Sequence, residues 1–120
     1  MTDKAKNEIL ELTTEFSLLI IEFVEELEAE KKFVIANQLL KAGTSIGANS
    51  REAQSSESKT DFAHKFKIAA KETEETLYWL NLCKAAPSYP SPNEELFIRL
   101  ESIKKIIGKI IYTSKQSLNK

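Results

Sequence analysis

Apolar residues recur along this chain at alternating steps of three and four, which is the period of an α-helix that buries one face. In the first stretch this pattern predicts a helix from about Asp3 to Glu28. Its predicted inner stripe consists of Ile9, Leu12, Phe16, Leu19, Phe23 and Leu27. Further apolar residues lie off this stripe, among them Leu10, Leu18, Ile21 and Val24. Because a helix that is apolar on two faces is buried on two faces, we expect the second face to meet another subunit.

Two more helices are predicted after a charged turn at residues 28–32. The second runs from about Lys32 to Gln54, and its predicted inner side is formed by Ala36, Leu39, Leu40, Gly43, Ile46 and Gly47. Ser58 and Asp61 then approximate the capping box of a third helix. That helix has coiled-coil spacing throughout, with Phe62, Phe66, Ala69, Thr73, Thr76, Leu80 and Cys83 on one side. Its small central residues predict a thin seam that suits the glycine-bearing face of helix 2.

The fourth helix is predicted to follow a loop rich in proline and serine at residues 86–92. Ser91 is the predicted N-cap, Pro92 the first helical residue, and Glu94 the residue that completes the capping box. The inner stripe of this helix is Leu96, Leu100, Ile103, Ile107 and Ile110. A second apolar stripe beside it consists of Phe97, Ile106 and Ile111.

Four amphipathic helices with short links predict an all-α fold, an antiparallel up-and-down four-helix bundle. A chain of 120 residues corresponds to a single domain over residues 1–120. The additional apolar stripes on helices 1 and 4 predict a homo-oligomer, because soluble proteins rarely leave such patches without a partner. The candidate interface residues are Leu10, Leu18, Ile21, Phe97, Ile106 and Ile111.

Two of the three glycines, Gly43 and Gly47, lie one turn apart inside the second predicted helix. Glycine inside a helix costs about 0.5–1 kcal/mol relative to alanine, so its presence there needs a structural reason. Small residues at this spacing allow another backbone to approach closely. Thr44, Ser45 and Asn49 would then hydrogen-bond across the contact, or back to the carbonyl one turn earlier. The alternative is that Gly43 caps the end of the helix and that a phosphate-binding loop follows, although no lysine follows Gly47 as a Walker motif requires.

The composition of the chain argues against most kinds of catalytic site. Cys83 is the only cysteine, so neither an intrachain disulfide nor a cysteine zinc cluster can form within the chain. His64 is the only histidine, and its predicted place on the outer side of helix 3 argues against a catalytic triad and against a di-metal site. We therefore predict a protein that is not an enzyme, with no metal and no cofactor. The chain also lacks a signal-peptide core and a membrane-spanning apolar run, so we expect a cytoplasmic protein.

Basic residues gather in the part of the chain that is predicted to form helices 2 and 3. Such a cluster is the electrostatic footprint from which nucleic-acid binding begins. The candidate contacts with a nucleic acid or another partner are Lys41, Arg51, Lys65, Lys67 and Lys71. The isoelectric point of about 5.9 argues against a dedicated nucleic-acid-binding domain.

The span from Gln38 to Cys83 carries an ordered series of motifs. They are Gln38-Leu39-Leu40, Gly43-Thr44-Ser45-Ile46-Gly47-Ala48-Asn49, Arg51-Glu52-Ala53, Asp61-Phe62, Lys65, Ile68-Ala69-Ala70-Lys71-Glu72, Glu75-Thr76 and Tyr78-Trp79-Leu80. This series closely resembles the four-helix bundle family encoded by intervening sequences within bacterial large-subunit (23S) ribosomal RNA genes. Helices 1 and 4 match that family only in character.

The resemblance implies a homo-oligomer, with a ring of five as the known form of the family, and a function that is largely unassigned. It also implies kinship with the accessory variability protein of diversity-generating retroelements. That strongly basic branch looks like a partner of nucleic acid and reverse transcriptase, whereas this chain is not basic. The resemblance supplies no catalytic residues. We interpret its motif residues as packing residues that fix helices 2 and 3: Gly43, Ser45, Gly47, Asn49, Glu52, Glu72 and Trp79.

Two hypotheses about function follow from the sequence. The first is a non-enzymatic homo-oligomeric scaffold, a pentamer on the family pattern, which binds a protein or ribonucleoprotein partner. The second is an accessory protein that binds RNA or another nucleic acid through the basic residues of helices 2 and 3.

Overall fold

A computed structural model of the protein describes residues 3–118, with side chains from Glu8 onward. Its helices are α1 (Asp3–Ala29), α2 (Phe33–Ala53), α3 (Lys59–Ala85) and α4 (Glu94–Leu118). Successive helices pack side by side, α4 also meets α1, and in the described part of the chain the two diagonal pairs do not come into backbone contact. The molecule measures 52 × 22 × 20 Å along its principal axes. The predicted all-α four-helix bundle is therefore confirmed.

The buried face of α1 is rotated toward α2 relative to the prediction. Ile9, Phe16, Phe23 and Leu27 are buried as predicted. Between them, however, Thr13 and Ile20 are buried, whereas the predicted Leu12 and Leu19 are only partly buried. Val24, which the sequence places off the stripe, is buried as well. The rotation has a physical reason, because the glycines of α2 allow α1 to come closest on the side that carries Thr13 and Ile20.

The other three helices largely bury the faces that their spacing predicts. In α4 all five residues of the inner stripe are buried. In α3 the predicted heptad is buried from Phe66 to Cys83, and Ala63 replaces the half-buried Phe62 at its beginning. The buried residues of α2 are Ala36, Leu39, Ala42, Gly43, Ile46, Ser50 and Ala53, while Leu40 and Gly47 are only partly buried.

The turn between α1 and α2 closes with a left-handed residue. Lys31 has a φ of 62°. Its amide donates to the carbonyl of Glu28 at 2.9 Å, and the amide of Lys32 donates to the carbonyl of Leu27 at 2.8 Å. These two bonds form a Schellman motif, whose left-handed position is usually a glycine. The turn therefore places a lysine where the backbone favours glycine.

The helix starts agree with the sequence at α3 and differ at α4. Ser58 caps α3, since its hydroxyl accepts from the amide of Asp61 at 3.0 Å. The prediction that Ser91 caps α4 is wrong, because the side chain of Asn93 accepts from the amide of Glu95 at 2.8 Å and the helix begins at Glu94. Asparagine caps a helix as well as serine does, and Pro92 is buried just outside the helix.

Candidate functional site

The segment Gly43–Asn49 lies entirely within α2, so the phosphate-loop alternative is wrong. The predicted close approach is confirmed, but the partner is α1 rather than α3. A Cβ built on Gly43 would lie 2.9 Å from both Cγ atoms of Ile20, and one on Gly47 would lie 3.2 Å from the Cβ and Oγ1 of Thr13. The glycine face of α2 therefore packs against two β-branched side chains of α1, Ile20 and Thr13.

The polar residues of this segment hydrogen-bond within their own helix. The hydroxyl of Thr44 donates to the carbonyl of Leu40 at 2.7 Å, and that of Ser45 donates to the carbonyl of Lys41 at 2.6 Å. The Asn49 amide donates to the carbonyl of Ser45 at 2.9 Å. Of the two arrangements that the sequence left open, the bond to the preceding turn is the one that forms. These donors consequently do not link α2 to its neighbours.

The side of α2 that faces α3 is marked by Glu52, whose carboxylate lies 3.8 Å from the Lys65 ammonium. Further along α3, partial burial raises the pKa of Glu72, and the nearby Glu75 raises it further. Trp79 is half-buried, and its Nε1 has no hydrogen-bond partner in the described structure. The motif residues Glu52, Glu72 and Trp79 thus lie along α3 and its contact with α2.

The five predicted basic contacts do not form one patch. Arg51 lines a shallow depression together with four residues of α1, whereas Lys65 lies beside Glu52 of α2. The four residues are Leu10, Glu11, Thr14 and Glu15. Lys41 is exposed on α2 near Glu72. Lys67 and Lys71 are exposed one turn apart on the outer side of α3. The tertiary structure therefore distributes these charges over several sides of the bundle.

The six candidate interface residues also divide into two groups. Leu18 and Ile21 are exposed on α1, to 58% and 40%. The other four, Leu10, Phe97, Ile106 and Ile111, are partly buried and pack against the protein's own core. Two other side chains of α4, which the sequence did not predict as interface residues, are exposed instead. They are Ile98, which is 61% exposed, and Tyr112, which is 66% exposed.

Two exposed faces of opposite charge result, and both carry apolar side chains. The first, which we call the acidic face, lies on the outer side of α1 and consists of Glu11, Leu18, Ile21, Glu22 and Glu25. The second, which we call the basic face, lies on the outer sides of α3 and α4 and consists of Lys67, Lys71, Tyr78, Ile98, Lys105 and Tyr112. The exposed acids Glu74 and Glu101 lie among them, so this face is basic only on balance. The Lys104 to Glu74 ion pair of 3.0 Å joins α3 to α4 between the two halves of the basic face. The seven-residue spacing of Ile98, Lys105 and Tyr112 is a signal in the sequence that would have found this surface.

The remaining chemistry-bearing side chains do not converge. Among the residues that the structure describes, no group of three or more His, Cys, Asp or Glu side chains is placed to hold a metal ion. His64 is exposed on the outer side of α3. Cys83 is buried, and burial raises the pKa of its thiol, which disfavours the reactive thiolate. None of the described helices is long and apolar enough to cross a membrane.

The geometry defines a helical-bundle protein with two exposed faces that carry apolar side chains, and comparison with known proteins is consistent with that class. The family model described as 23S rRNA-intervening sequence protein matches residues 5–112. A crystal structure of a protein with unknown function from the S23 ribosomal protein family of Bacteroides thetaiotaomicron VPI-5482 is similar, with a TM-score of 0.84 and 36% identity. The match covers 90% of this chain and 98% of that one. No curated protein matches the chain.

The chain therefore belongs to the 23S rRNA-intervening sequence protein family, as the motif series from Gln38 to Cys83 indicated. The match includes most of α1 and α4, the two helices that resemble the family only in character at the level of motifs. The structural relative is itself described as a protein of unknown function.

Proposed function

We propose that the protein is a non-enzymatic, cytoplasmic scaffold that assembles head to tail from identical copies, with the acidic face of one copy on the basic face of the next. The observation that supports this proposal is the pair of exposed faces with opposite charge, each of which also exposes large apolar side chains. Exposed apolar patches on soluble proteins commonly mark interaction sites. Complementary charge on the two surfaces would steer and orient the encounter.

The positions of the two faces favour a ring or a filament over a two-fold dimer. Helices α1 and α3 lie on a diagonal of the bundle, so their outer sides point in opposite directions. A two-fold dimer would bring each face against itself, and like charges would then oppose one another. A head-to-tail contact pairs unlike faces and closes into a ring when the rotation per subunit permits it. The pentamer that the family resemblance implies is one such closed ring.

The first experiment measures mass by size-exclusion chromatography with light scattering, over a range of micromolar concentrations. We expect a discrete oligomer for the parent protein. We expect monomers for a variant with Glu11→Lys and Glu25→Lys, and also for one with Lys71→Glu and Lys105→Glu. A parent that stays monomeric at every concentration would refute the proposal.

A charge exchange then separates a specific interface from a general effect of charge. The variant that carries all four substitutions again has two unlike faces, with the signs reversed, and should recover the oligomer. A matched control with Lys31→Glu and Lys41→Glu changes two charges outside both faces and should assemble like the parent. Failure of the four-fold variant to assemble while it remains helical by circular dichroism would count against this pairing of faces.

The same basic face supports a second candidate function, which is contact with a nucleic acid. Lysines that alternate with exposed tyrosines can hold a phosphate backbone while bases stack on the rings. Binding of labelled RNA at low salt should then fall as salt rises, and should be lost in the Lys71→Glu and Lys105→Glu variant. No binding by the parent at low salt, or equal binding by this variant, would exclude the basic face as an RNA site.

A further inference from the structure

A cleft of about 680 Å³ lies at the end of the bundle where α2 turns into α3. It belongs to neither the acidic face nor the basic face. Its volume falls within the range of about 300–1,000 Å³ that is usual for small-molecule sites. The floor of the cleft is apolar and consists of Ala53, Phe62, Ile106 and Ile110.

The cleft lies at one end of the neighbouring pair α1 and α4. These two helices make the least extensive contact of the four neighbouring pairs. Arg99, in the first half of α4, joins them by an ion pair of 2.8 Å with Glu15. The second half of α4, from Ile106 to Ser117, faces the turn between α2 and α3 across the cleft. The lining therefore comes from α4, from the turn between α2 and α3 with the helix ends beside it, and from Glu8 of α1.

Polar side chains, two of them lysines, line the cleft around its apolar floor. The Lys59 ammonium donates to the hydroxyl of Ser117 at 2.9 Å, which ties the start of α3 to the end of α4 at the cleft. Lys109 lines the same cleft. The Oγ of Ser56, also in the lining, is buried and has no hydrogen-bond partner among the described residues.

Two acidic side chains line the cleft as well, Glu8 and Glu57. Both are exposed, so each carboxylate is free to turn toward water. The Lys59 ammonium, in contrast, is held beside the cleft by its bond to Ser117. A ligand with an apolar body and an anionic head can pack on the apolar floor and pair with the two lysines at the same time.

We propose that this cleft binds a single-chain amphiphilic anion, an alkyl carboxylate of the fatty-acid kind. The alkyl chain lies on the apolar floor, and the carboxylate pairs with Lys59 and Lys109. The inference is independent of self-assembly, because the alkyl ligand uses neither of the two charged faces.

The test compares three probes of equal chain length by calorimetry, the two ions below their critical micelle concentrations and the alcohol below its solubility limit. Dodecanoate should bind the full-length protein more tightly than dodecanol, and dodecylammonium should bind most weakly. Equal affinity for the anion and the cation would overturn the assignment of an anionic head. Absence of dodecanoate binding would overturn the proposal as a whole.

Variants then locate the binding. Thr113 is an exposed residue of α4 in the lining, so Thr113→Trp should fill the cleft without disturbing the core and should abolish binding. Lys59→Glu should weaken dodecanoate binding by about fivefold, the upper range for one exposed ion pair, and should leave dodecanol unaffected. Lys41→Glu, the same charge change away from the cleft, should bind like the parent. Unchanged dodecanoate binding by a folded Thr113→Trp variant would place the ligand elsewhere and refute the site.

Discussion

The substitution Gly43→Ala should destabilise the bundle although it improves the intrinsic helix propensity of α2. Alanine gains about 0.5–1 kcal/mol over glycine inside a helix. The added methyl, however, would lie 2.9 Å from two carbons of the fully buried Ile20, well inside the ordinary carbon–carbon separation of about 3.5–4.0 Å. Overpacking of this kind costs about 1–3 kcal/mol. The expected net change is a loss of about 1 kcal/mol in the free energy of unfolding.

The other two glycines provide matched controls for this prediction. A Cβ on Gly108 meets no atom within 4 Å, so Gly108→Ala should stabilise by the full propensity gain of about 0.5–1 kcal/mol. A Cβ on Gly47 lies at 3.2 Å from the Thr13 side chain, so the gain and the contact cost should nearly cancel. The three variants should therefore rank by the space around each glycine, with Gly108 first and Gly43 last.

Urea unfolding followed by circular dichroism measures these changes. Each variant should be compared at several protein concentrations, because assembly would add a concentration-dependent term to stability. A double-mutant cycle with Ile20→Ala isolates the contact, since removing the Ile20 side chain frees the space beside Gly43. In that background Gly43→Ala should be neutral or stabilising. The reasoning is refuted if Gly43→Ala stabilises the parent protein as much as Gly108→Ala does.

Three further predictions concern the turns and one partly buried carboxyl. Lys31→Gly should stabilise by about 0.5–1 kcal/mol, since relief of the left-handed strain of about 1–2 kcal/mol exceeds the backbone entropy cost of glycine. Asn93→Ala should cost about 1 kcal/mol and Ser91→Ala almost nothing, because Asn93 is the cap. Glu72→Gln should stabilise at neutral pH, because the folded state raises the pKa of Glu72 and disfavours its charged form. This gain should vanish below the ordinary pKa of 4.5, where the carboxyl is protonated in both states.

The same unfolding experiments check these three predictions. Equal losses for Asn93→Ala and Ser91→Ala would show that the assigned helix start is wrong. A destabilising Lys31→Gly would mean that the lysine side chain contributes more than its backbone conformation costs. For Glu72, stability is measured from pH 3 to pH 8, and a pH-independent difference between parent and variant would contradict the raised pKa as its cause.

Much of the fold follows from local information in the sequence. The apolar period places the four helices, because any helix that buries one face must repeat its apolar residues every three or four positions. The stripe of α4 and the heptad of α3 from Phe66 onward are buried as this rule requires. The cap at Ser58 is equally local, since it depends on residues three apart.

The rotation of each helix about its own axis, in contrast, depends on tertiary packing. The spacing of Gly43 and Gly47 predicts a close contact with another helix, but it suits α1 and α3 alike. Only the packed bundle shows that the neighbouring helix is α1. That choice turns α1 so that Ile20 rather than Leu19 enters the core. The reason is that the orientation of a helix about its own axis depends on long-range packing, which spacing within one helix does not contain.

The candidate surfaces likewise depend partly on which residues the sequence contains and partly on how the helices pack. The sequence alone shows that lysines and apolar residues outside the core stripes are present, among them Leu18 and Ile21, which are exposed in the bundle. Only the bundle brings α3 beside α4, so that Lys71 and Lys105 belong to one face, and sends Arg51 to another side of the molecule. Charge and hydropathy belong to single residues and can be read along the chain, whereas a binding surface is a relation between helices and exists only once they have packed.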